Sequence, residues 1–149
     1  MLNIEYPEVD LLLGGVRPGA ARTREPVFNP ATGERIGTYP VATTADLDAA
    51  LAAAQRGFEH WRGVSAHDRG RVLKRAAQLL RERGEGIARL AALESGKSIH
   101  EARIELNAAA DLFEWYGEEC RRVYGRLLVS RGAGMRLAVR KEPIGVVAA

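Results

Sequence analysis

The chain is organised around one stretch, SIHEARIELNAAADLFEWYGEECRRV, which spans residues 98–123. Ser98 followed three residues later by Glu101 is a capping box, a pattern typical of the first turn of an α-helix. Beyond it, apolar residues recur at alternating steps of three and four: Leu106, Ala109, Phe113, Tyr116 and Cys120. This spacing predicts a long helix that buries one face along its length.

Three more helices are predicted upstream of this stretch. Thr43 with Asp46 forms a second capping box, and Ser65 with Asp68 caps the next helix. Glycines mark the other boundaries, because each one weakens a helix interior by about 1 kcal/mol relative to alanine. They predict an end at Gly63, a bend or break at Gly84 and Gly86, and a stop after Ser95 at Gly96.

The first of these helices carries an apolar stripe. Its members follow one another at helical steps: Leu47, Leu51, Ala54, Phe58 and Trp61. Such a stripe is typical of a helix face that packs into a core. We expect the burial of Phe58 and of Trp61 to contribute roughly 1.5–3 kcal/mol each.

Short strands are predicted on both sides of the helices. Residues 11–16 indicate a strand with a Gly turn, and residues 35–39 alternate as a second strand, with a turn at residues 29–33 before it. We expect a small antiparallel pair here, packed on the helices. After the helices, residues 127–130 and 135–141 flank a Gly-containing turn and predict a β-hairpin.

Residues 144–149 differ from the other predicted strands. They are uniformly apolar and do not alternate. A continuous apolar run of this kind is typical of a strand that is buried on both faces, as in a parallel sheet.

The composition fits a soluble globular chain, with 149 residues, 46% hydrophobic and 28% charged. This length suits a single domain with a core. The first residues lack the basic and apolar regions of a signal peptide, and no apolar run reaches the length of a membrane span. The single cysteine, Cys120, excludes an internal disulfide and favours a reducing cytoplasm.

Positive charge concentrates near the end of the chain, although the net charge is only +3. Against one acid, Glu142, the residues after Cys120 include seven basic ones: Arg121, Arg122, Arg126, Arg131, Arg136, Arg140 and Lys141. Such a cluster is typical of a surface for nucleic acid or an acidic partner. A solvated or subunit-facing hairpin is the simpler interpretation, since the sequence has no aromatic platform or recognition-helix signature.

Few residues are candidates for chemistry. Cys120 lies on the apolar face of its helix with no histidine at an obvious helical spacing, which favours a structural role. His60, His67 and His100 lack metal-ligand spacing, which argues against zinc.

Two further clusters are interpreted as structural. Residues 132–134 (GAG) resemble part of a dinucleotide-binding fingerprint, but position 137 is Leu and the segment joins two strands. Glu114, Glu118 and Glu119 form an acidic cluster with no sign of general acid–base geometry. The sequence therefore assigns no catalytic, cofactor-binding or metal-binding residue.

Several motifs together resemble the N-terminal part of the NAD(P)-dependent aldehyde dehydrogenase superfamily. They keep the family's order and spacing over about residues 11–149, and they are residues 29–34 (NPATGE), 46–61, 69–80, 93–97 (LESGK) and 142–149 (EPIGVVAA). Residues 113–125 (FEWYGEECRRVYG) are most similar to the succinate-semialdehyde dehydrogenase branch.

The resemblance implies an α/β fold and an enzyme that oxidises an aldehyde, with succinate semialdehyde as a candidate, to a carboxylic acid with NAD or NADP. In the family a cysteine thiolate attacks the carbonyl and hydride passes to the cofactor. A Glu assists hydrolysis of the thioester, and an Asn and a backbone N–H hold the oxyanion. None of these residues has a counterpart here, and Cys120 does not match the catalytic position. We therefore expect these 149 residues alone to be inactive and to bind no cofactor.

The resemblance also implies how the chain divides. Residues 1–123 correspond to the N-terminal strands and helical block of the cofactor-binding domain, and residues 124–142 to an oligomerisation hairpin. Residues 143–149 correspond to the start of the first buried strand of a Rossmann-like cofactor-binding sheet. A cytoplasmic homo-oligomer with no nucleic-acid or membrane partner is expected.

Some family members hold a monovalent cation near a backbone carbonyl that matches Val27 and an acid that matches Glu94. With the remaining ligands absent, no such site is expected here.

Two other interpretations stay open. The basic hairpin could mark a non-catalytic interaction module that binds an acidic partner or nucleic acid. The chain could also be a shortened relative that serves only as the assembly partner of a full-length enzyme.

Overall fold

The computed structural model of the chain describes residues 6–19 and 21–148. Two pairs of short strands flank a block of four helices, which confirms the predicted α/β class. The elements are β1 (Arg24–Phe28), β2 (Arg35–Pro40), α1 (Thr44–Gly63), α2 (Ala66–Glu82), α3 (Gly84–Ser95), α4 (Ile99–Glu119), a 3-10 turn (Cys120–Arg122), β3 (Arg126–Leu128) and β4 (Leu137–Val139).

The predicted helix starts are confirmed. The Thr43 hydroxyl accepts a hydrogen bond from the Asp46 N–H at 3.2 Å, and the Thr43 N–H donates to the Asp46 carboxylate at 2.9 Å. Ser98 caps α4 with the same reciprocal geometry, and Ser65 caps α2 through its side chain. Each cap satisfies N–H groups that have no partner within the helix.

The predicted helix ends are confirmed as well. The chain breaks at Arg83, between α2 and α3. Gly84 is buried there, and a Cβ at this position would lie only 2.8 Å from Leu106 Cδ2 of α4. Gly96 ends α3 with φ of 71°, a left-handed conformation that glycine adopts at no steric cost.

α2 and α4 cross at two buried glycines. A Cβ at position 70 would lie 2.7 Å from the Gly117 carbonyl oxygen, and a Cβ at position 117 would lie 3.2 Å from the Gly70 carbonyl oxygen. The two backbones approach this closely because neither residue has a side chain.

In the described helices, the buried apolar side chains are all alanines. Three of them, Ala88, Ala92 and Ala102, form a cluster between α3 and α4, with Ala91 and Ile99 packed partly against it. Among the described residues no large side chain is completely buried. The core of the helical block is therefore a narrow seam of small residues.

The predicted buried face of α4 is partly wrong. Phe113 and Tyr116 are 41% and 60% exposed, whereas Ala102, Ala110 and Gly117 are buried. The remaining members of the predicted face are half-buried. Closely packed helices bring their smallest residues to the contact line, so the large aromatic side chains lie at its edge.

The prediction that the stripe of α1 packs into a core is also wrong. Leu51 is 60% exposed and Trp61 is 40% exposed, while Phe58 is half-buried. In residues 6–19 and 21–148, α1 packs extensively on no other helix or strand. Only the non-strand residues 145–147 lie near its C-terminal end, beside Phe58 and Trp61. The burial energy expected for Trp61 is therefore only partly realised.

The N-terminal hairpin exists, but one of its strands was assigned wrongly. β2 pairs antiparallel with β1, at residues 24–28, and not with residues 11–16. Residues 11–16 form a turn closed by Leu13 and Val16, which exchange backbone hydrogen bonds of 2.9 and 3.1 Å. Pro26 weakens the strand signal of β1 in the sequence, but a two-stranded sheet has open edges where its missing N–H is tolerated.

The second hairpin is confirmed, with shorter strands than predicted. β3 and β4 are antiparallel, with Leu127 opposite Ala138 at the centre. All the side chains of both strands are exposed.

Residues 143–148 form no strand in the structure, and residue 149 lies outside the described residues. Ile144 and Val147 are exposed. A buried strand needs neighbouring strands to bond its N–H and C=O groups, and among the described residues no strand pairs with this segment. Its place in a cofactor-binding sheet stays a prediction.

Candidate functional site

The structure does not bring the cysteine and the histidines together as a site. Cys120 is half-buried at the C-terminal end of α4. His60, His67 and His100 lie exposed on α1, α2 and α4. Within the part of the chain that the structure describes, no group of three or more His, Cys, Asp or Glu residues could hold a metal ion.

The glycine motif at residues 132–134 lies in the loop between β3 and β4. A dinucleotide cradle needs this motif at the start of a helix, where backbone N–H groups point at the phosphates. The side chains of Thr43, Ser65 and Ser98 already occupy the N-termini of α1, α2 and α4. The N-terminus of α3 has no side-chain cap. That these residues alone bind no nicotinamide cofactor stays a prediction.

The acidic cluster on α4 is a set of ion pairs. Glu114 accepts a hydrogen bond from Arg81 of α2 at 2.7 Å, and Lys74 of α2 pairs with Glu118. Arg122 pairs with Glu119 at 2.6 Å. The Lys74 ammonium lowers the pKa of Glu118. Each carboxylate therefore has a cationic partner, and the pairs of Glu114 and Glu118 join α2 to α4.

A second ion cluster joins α3 to α4. The Glu85 carboxylate accepts hydrogen bonds from Arg103 at 2.8 and 3.0 Å and from Arg89 at 2.7 Å. These bonds, first from Arg103 and then from Arg89, lower the pKa of Glu85 to about 2. Because all three side chains are about half exposed, the cluster is weakened by solvent screening.

The least exposed ion pair of the chain's described part ties α1 to the segment before β1. Arg22 binds the Asp46 carboxylate through Nη2 at 2.6 Å and Nε at 3.3 Å, and both side chains are only 10% exposed. The Arg22 guanidinium, together with the N–H and hydroxyl of Thr43, holds the pKa of Asp46 far below its usual value of 3.8. The sequence predicted the cap but not Arg22, because a pair separated by 24 residues leaves no local pattern.

Glu94, which the resemblance matches to a cation ligand, has a different partner in the structure. The Tyr6 hydroxyl donates to Glu94 Oε1 at 2.5 Å. This hydrogen bond, with partial burial, raises the pKa of Tyr6 to about 12. Val27, the other matched residue, lies in β1. The expectation that no cation is held here stays a prediction.

The basic residues near the end of the chain are spread over an exposed surface. Arg122 pairs with Glu119, and Arg140 pairs with Glu142 at 3.2 Å. Leu127 and Val129 are almost fully exposed beside them. This surface is mixed in character, with apolar and basic side chains together.

No helix in residues 6–19 and 21–148 combines the length and apolar character that crossing a membrane requires. In the same residues, the hydroxyls of Thr43, Ser65 and Ser98 each donate to a carboxylate three residues later, and all three pairs belong to helix caps.

A family model described as "Aldehyde dehydrogenase family" matches residues 17–149. Among curated proteins, 4-(hydroxymethyl)benzenesulfonate dehydrogenase TsaD1 of Comamonas testosteroni is 48% identical over 150 residues, which is 100% of this chain and 32% of that protein. The NADP(+)-dependent succinate-semialdehyde dehydrogenase GabD of Escherichia coli is 40% identical over 123 residues, or 83% of this chain and 26% of that protein.

Solved structures agree with this result. Succinate-semialdehyde dehydrogenase from Burkholderia pseudomallei superposes with a TM-score of 0.81 and 37% identity, over 89% of this chain and 28% of that chain. The chain spans about a third or less of the length of the curated relatives described above. With the family model matched along nearly all of its sequence, the chain belongs to the aldehyde dehydrogenase family.

Proposed function

We propose that this chain is the N-terminal part of an oxidoreductase that converts an aldehyde to a carboxylic acid with NAD+ or NADP+. The observation that carries the proposal is the continuous family match over residues 17–149. The superposition on a succinate-semialdehyde dehydrogenase supports it, because the arrangement of the helices is shared as well as the motifs.

The proposed substrate is an aldehyde that carries a second, acidic group. Two relatives are named for succinate semialdehyde, an aldehyde with a carboxylate, and for 4-(hydroxymethyl)benzenesulfonate, an aromatic alcohol with a sulfonate whose oxidation gives an aldehyde. The identity to the benzenesulfonate enzyme is higher and extends over the whole chain. Succinate semialdehyde and an aromatic sulfonated aldehyde are therefore the two substrates to compare.

Within that enzyme, residues 1–123 would serve as scaffold for the cofactor-binding domain, and residues 143–149 would begin its first strand. Aldehyde oxidation needs a thiolate, an oxyanion site and a base in mutual reach. Cys120 is half-buried at the end of α4 and does not match the catalytic position of the family. The 149 residues alone are therefore expected to be inactive and to bind no nicotinamide cofactor.

The hairpin at residues 124–142 is proposed as a contact between subunits. Its short strands expose apolar side chains, including Leu127 and Val129, next to basic ones. A two-stranded ribbon with open edges can extend a sheet in a neighbouring subunit. The alternative, a non-catalytic module that binds nucleic acid or an acidic partner, predicts salt-dependent binding of DNA or RNA by this chain.

The test begins with the intact mass of the protein as its source organism makes it. A mass several-fold above 16.2 kDa is expected, and that species should form NADH or NADPH with succinate semialdehyde or a sulfonated benzaldehyde. The 149-residue chain, assayed beside it, should form neither. A complete protein that reduces neither cofactor with any aldehyde would overturn the proposal. Activity in the 149-residue chain would instead overturn the claim that the catalytic residues lie outside these 149 residues.

A further inference from the structure

Residues 6–9, which precede β1, contact both the β1–β2 hairpin and the helical block, and these two parts otherwise have little contact. The Tyr6 hydroxyl donates to Glu94 Oε1 at 2.5 Å, across 88 positions of sequence. Glu94 lies in the last turn of α3, so this bond connects the segment to the helical block.

The same segment is also attached to the β1–β2 hairpin. The Tyr6 ring lies so close to Gly37 of β2 that a Cβ at position 37 would overlap it. Arg24 of β1 donates through Nη2 to the carbonyl oxygen of Val9 at 2.8 Å and to that of Thr38 at 3.1 Å. Two separate contacts therefore hold residues 6–9 on the hairpin.

Few other contacts join the hairpin to the helices. Within the described residues, neither β1 nor β2 packs extensively on a helix. One close approach is at Gly96, where a Cβ would lie 2.9 Å from Pro30 Cγ of the loop between the strands. The hairpin thus meets the α3 end at Pro30 and through Tyr6.

We infer that Tyr6 is a strap: a positioning residue that docks the β1–β2 hairpin on the C-terminal end of α3. Its ring binds the hairpin and its hydroxyl binds the helix, so one side chain couples the two. When the strap is released, the hairpin and the C-terminal cap of α3 at Gly96 open locally, while α2, α4 and the rest of α3 stay folded because their seam and ion pairs do not involve it. This inference does not depend on the proposed enzymatic function.

The chain contains a matched control for the strap. The Tyr39 hydroxyl donates to Glu25 Oε2 at 2.6 Å, and both residues belong to the hairpin. Tyr39→Phe therefore removes the same kind of hydrogen bond, from tyrosine to glutamate, without touching the helices. Tyr6→Phe removes the bond that crosses between the two parts.

The experiment is hydrogen exchange of backbone amides in the full chain, compared among wild type, Tyr6→Phe and Tyr39→Phe. Tyr6→Phe should accelerate exchange at the hairpin turn amides of Thr32 and Gly33 and at the Gly96 amide. The expected increase is about three- to tenfold, which corresponds to the loss of one hydrogen bond. These amides donate to Asn29 and Ala92 carbonyls within the two parts that the strap joins. Tyr39→Phe should leave the Gly96 amide unchanged.

A second variant keeps the hydroxyl and displaces the ring. Gly37→Ala should accelerate the Gly96 amide in the same direction as Tyr6→Phe, because the added methyl overlaps the ring. Unchanged exchange at Gly96 in Tyr6→Phe would overturn the inference. Equal acceleration of the α2 and α4 amides would also overturn it, since that pattern indicates global unfolding and not release of a strap.

Discussion

α1 and α4 are helices of nearly equal length, with 20 and 21 residues, but they are held in place by different means. α4 crosses α2 at Gly70 and Gly117 and packs its alanines on α3. α1 has the more obvious apolar stripe in the sequence, yet Leu51 is exposed and the helix packs extensively on no other described element. A periodic apolar face therefore predicts a helix, but contact between small residues determines which helices pack closely in this chain.

The attachment of α1 is mainly polar. Its N-terminus holds Asp46, which Arg22 and Thr43 bind from the preceding segment. α4, in contrast, is positioned by steric fit, with ion pairs from Lys74 and Arg81 added at its edge. Substitutions that add a methyl, remove a side chain or remove a charge should thus act differently on the two helices.

The largest difference is expected when a methyl group is added to a glycine. Gly70→Ala should lower the free energy of unfolding by about 1–3 kcal/mol, because its Cβ would press on the Gly117 carbonyl oxygen. Gly57→Ala in α1 has nothing within 4 Å of the new Cβ and should raise that free energy by about 0.5–1 kcal/mol through helix propensity. Urea titration measures both, and effects of the same sign would contradict the steric account of the seam.

A smaller difference is expected when leucine is truncated. Leu73 of α2 is half-buried beside Gly117, so Leu73→Ala should cost about 1–2 kcal/mol in the same titration. Leu51→Ala removes a mostly exposed side chain from α1 and should cost less than about 0.5 kcal/mol. If Leu51→Ala proved as costly as Leu73→Ala, α1 would be packed in solution by contacts that the structure does not contain.

A polar difference is expected from Asp46→Asn, because its amide oxygen can still accept from Thr43 while its NH2 group would face Arg22 Nη2, to which a carboxylate oxygen is now bound. The folded-state pKa of Asp46 lies below the unfolded value, so its charge stabilises the fold above about pH 4 and this contribution is lost as pH falls through the folded pKa. The stability difference between wild type and variant should be constant from about pH 5 to 8 and shrink below about pH 4.

Thermal melts across this pH range check the prediction, with Asp48→Asn as the control on the same helix. Asp48 is exposed, and its substitution should produce no comparable change with pH. A wild-type advantage over Asp46→Asn that grew toward low pH would show that the ion pair does not stabilise the attachment of α1.

The helix boundaries could be predicted because their signals are local. Thr43, Ser65 and Ser98 each cap a helix through contacts three residues away, and Gly96 ends one by its own left-handed conformation. The family could be predicted for the same reason, since its motifs are short and contiguous. No residue pattern in the chain indicated a catalytic constellation, and the expectation that the catalytic residues lie elsewhere stays a prediction.

The strand partners and the packed faces could not be predicted in this way. β2 pairs with residues 24–28 although Pro26 weakens their strand signal, and Arg22, Tyr6 and Gly70 act on partners between 24 and 88 positions away. The glycines within α2 and α4 were the only sequence sign of the close contact between these two helices. A glycine in a helix interior equally predicts a weak point in the helix itself.

What the sequence determined by itself is the set of helices, their caps and breaks, both hairpins in outline and the aldehyde dehydrogenase family. Only the tertiary structure decided that glycine and alanine, not Phe113 or Trp61, occupy the contact lines. The physical reason is distance along the chain. Caps and turns are satisfied within a few residues, whereas packing depends on which distant backbones can approach, and the smallest side chains permit the closest approach.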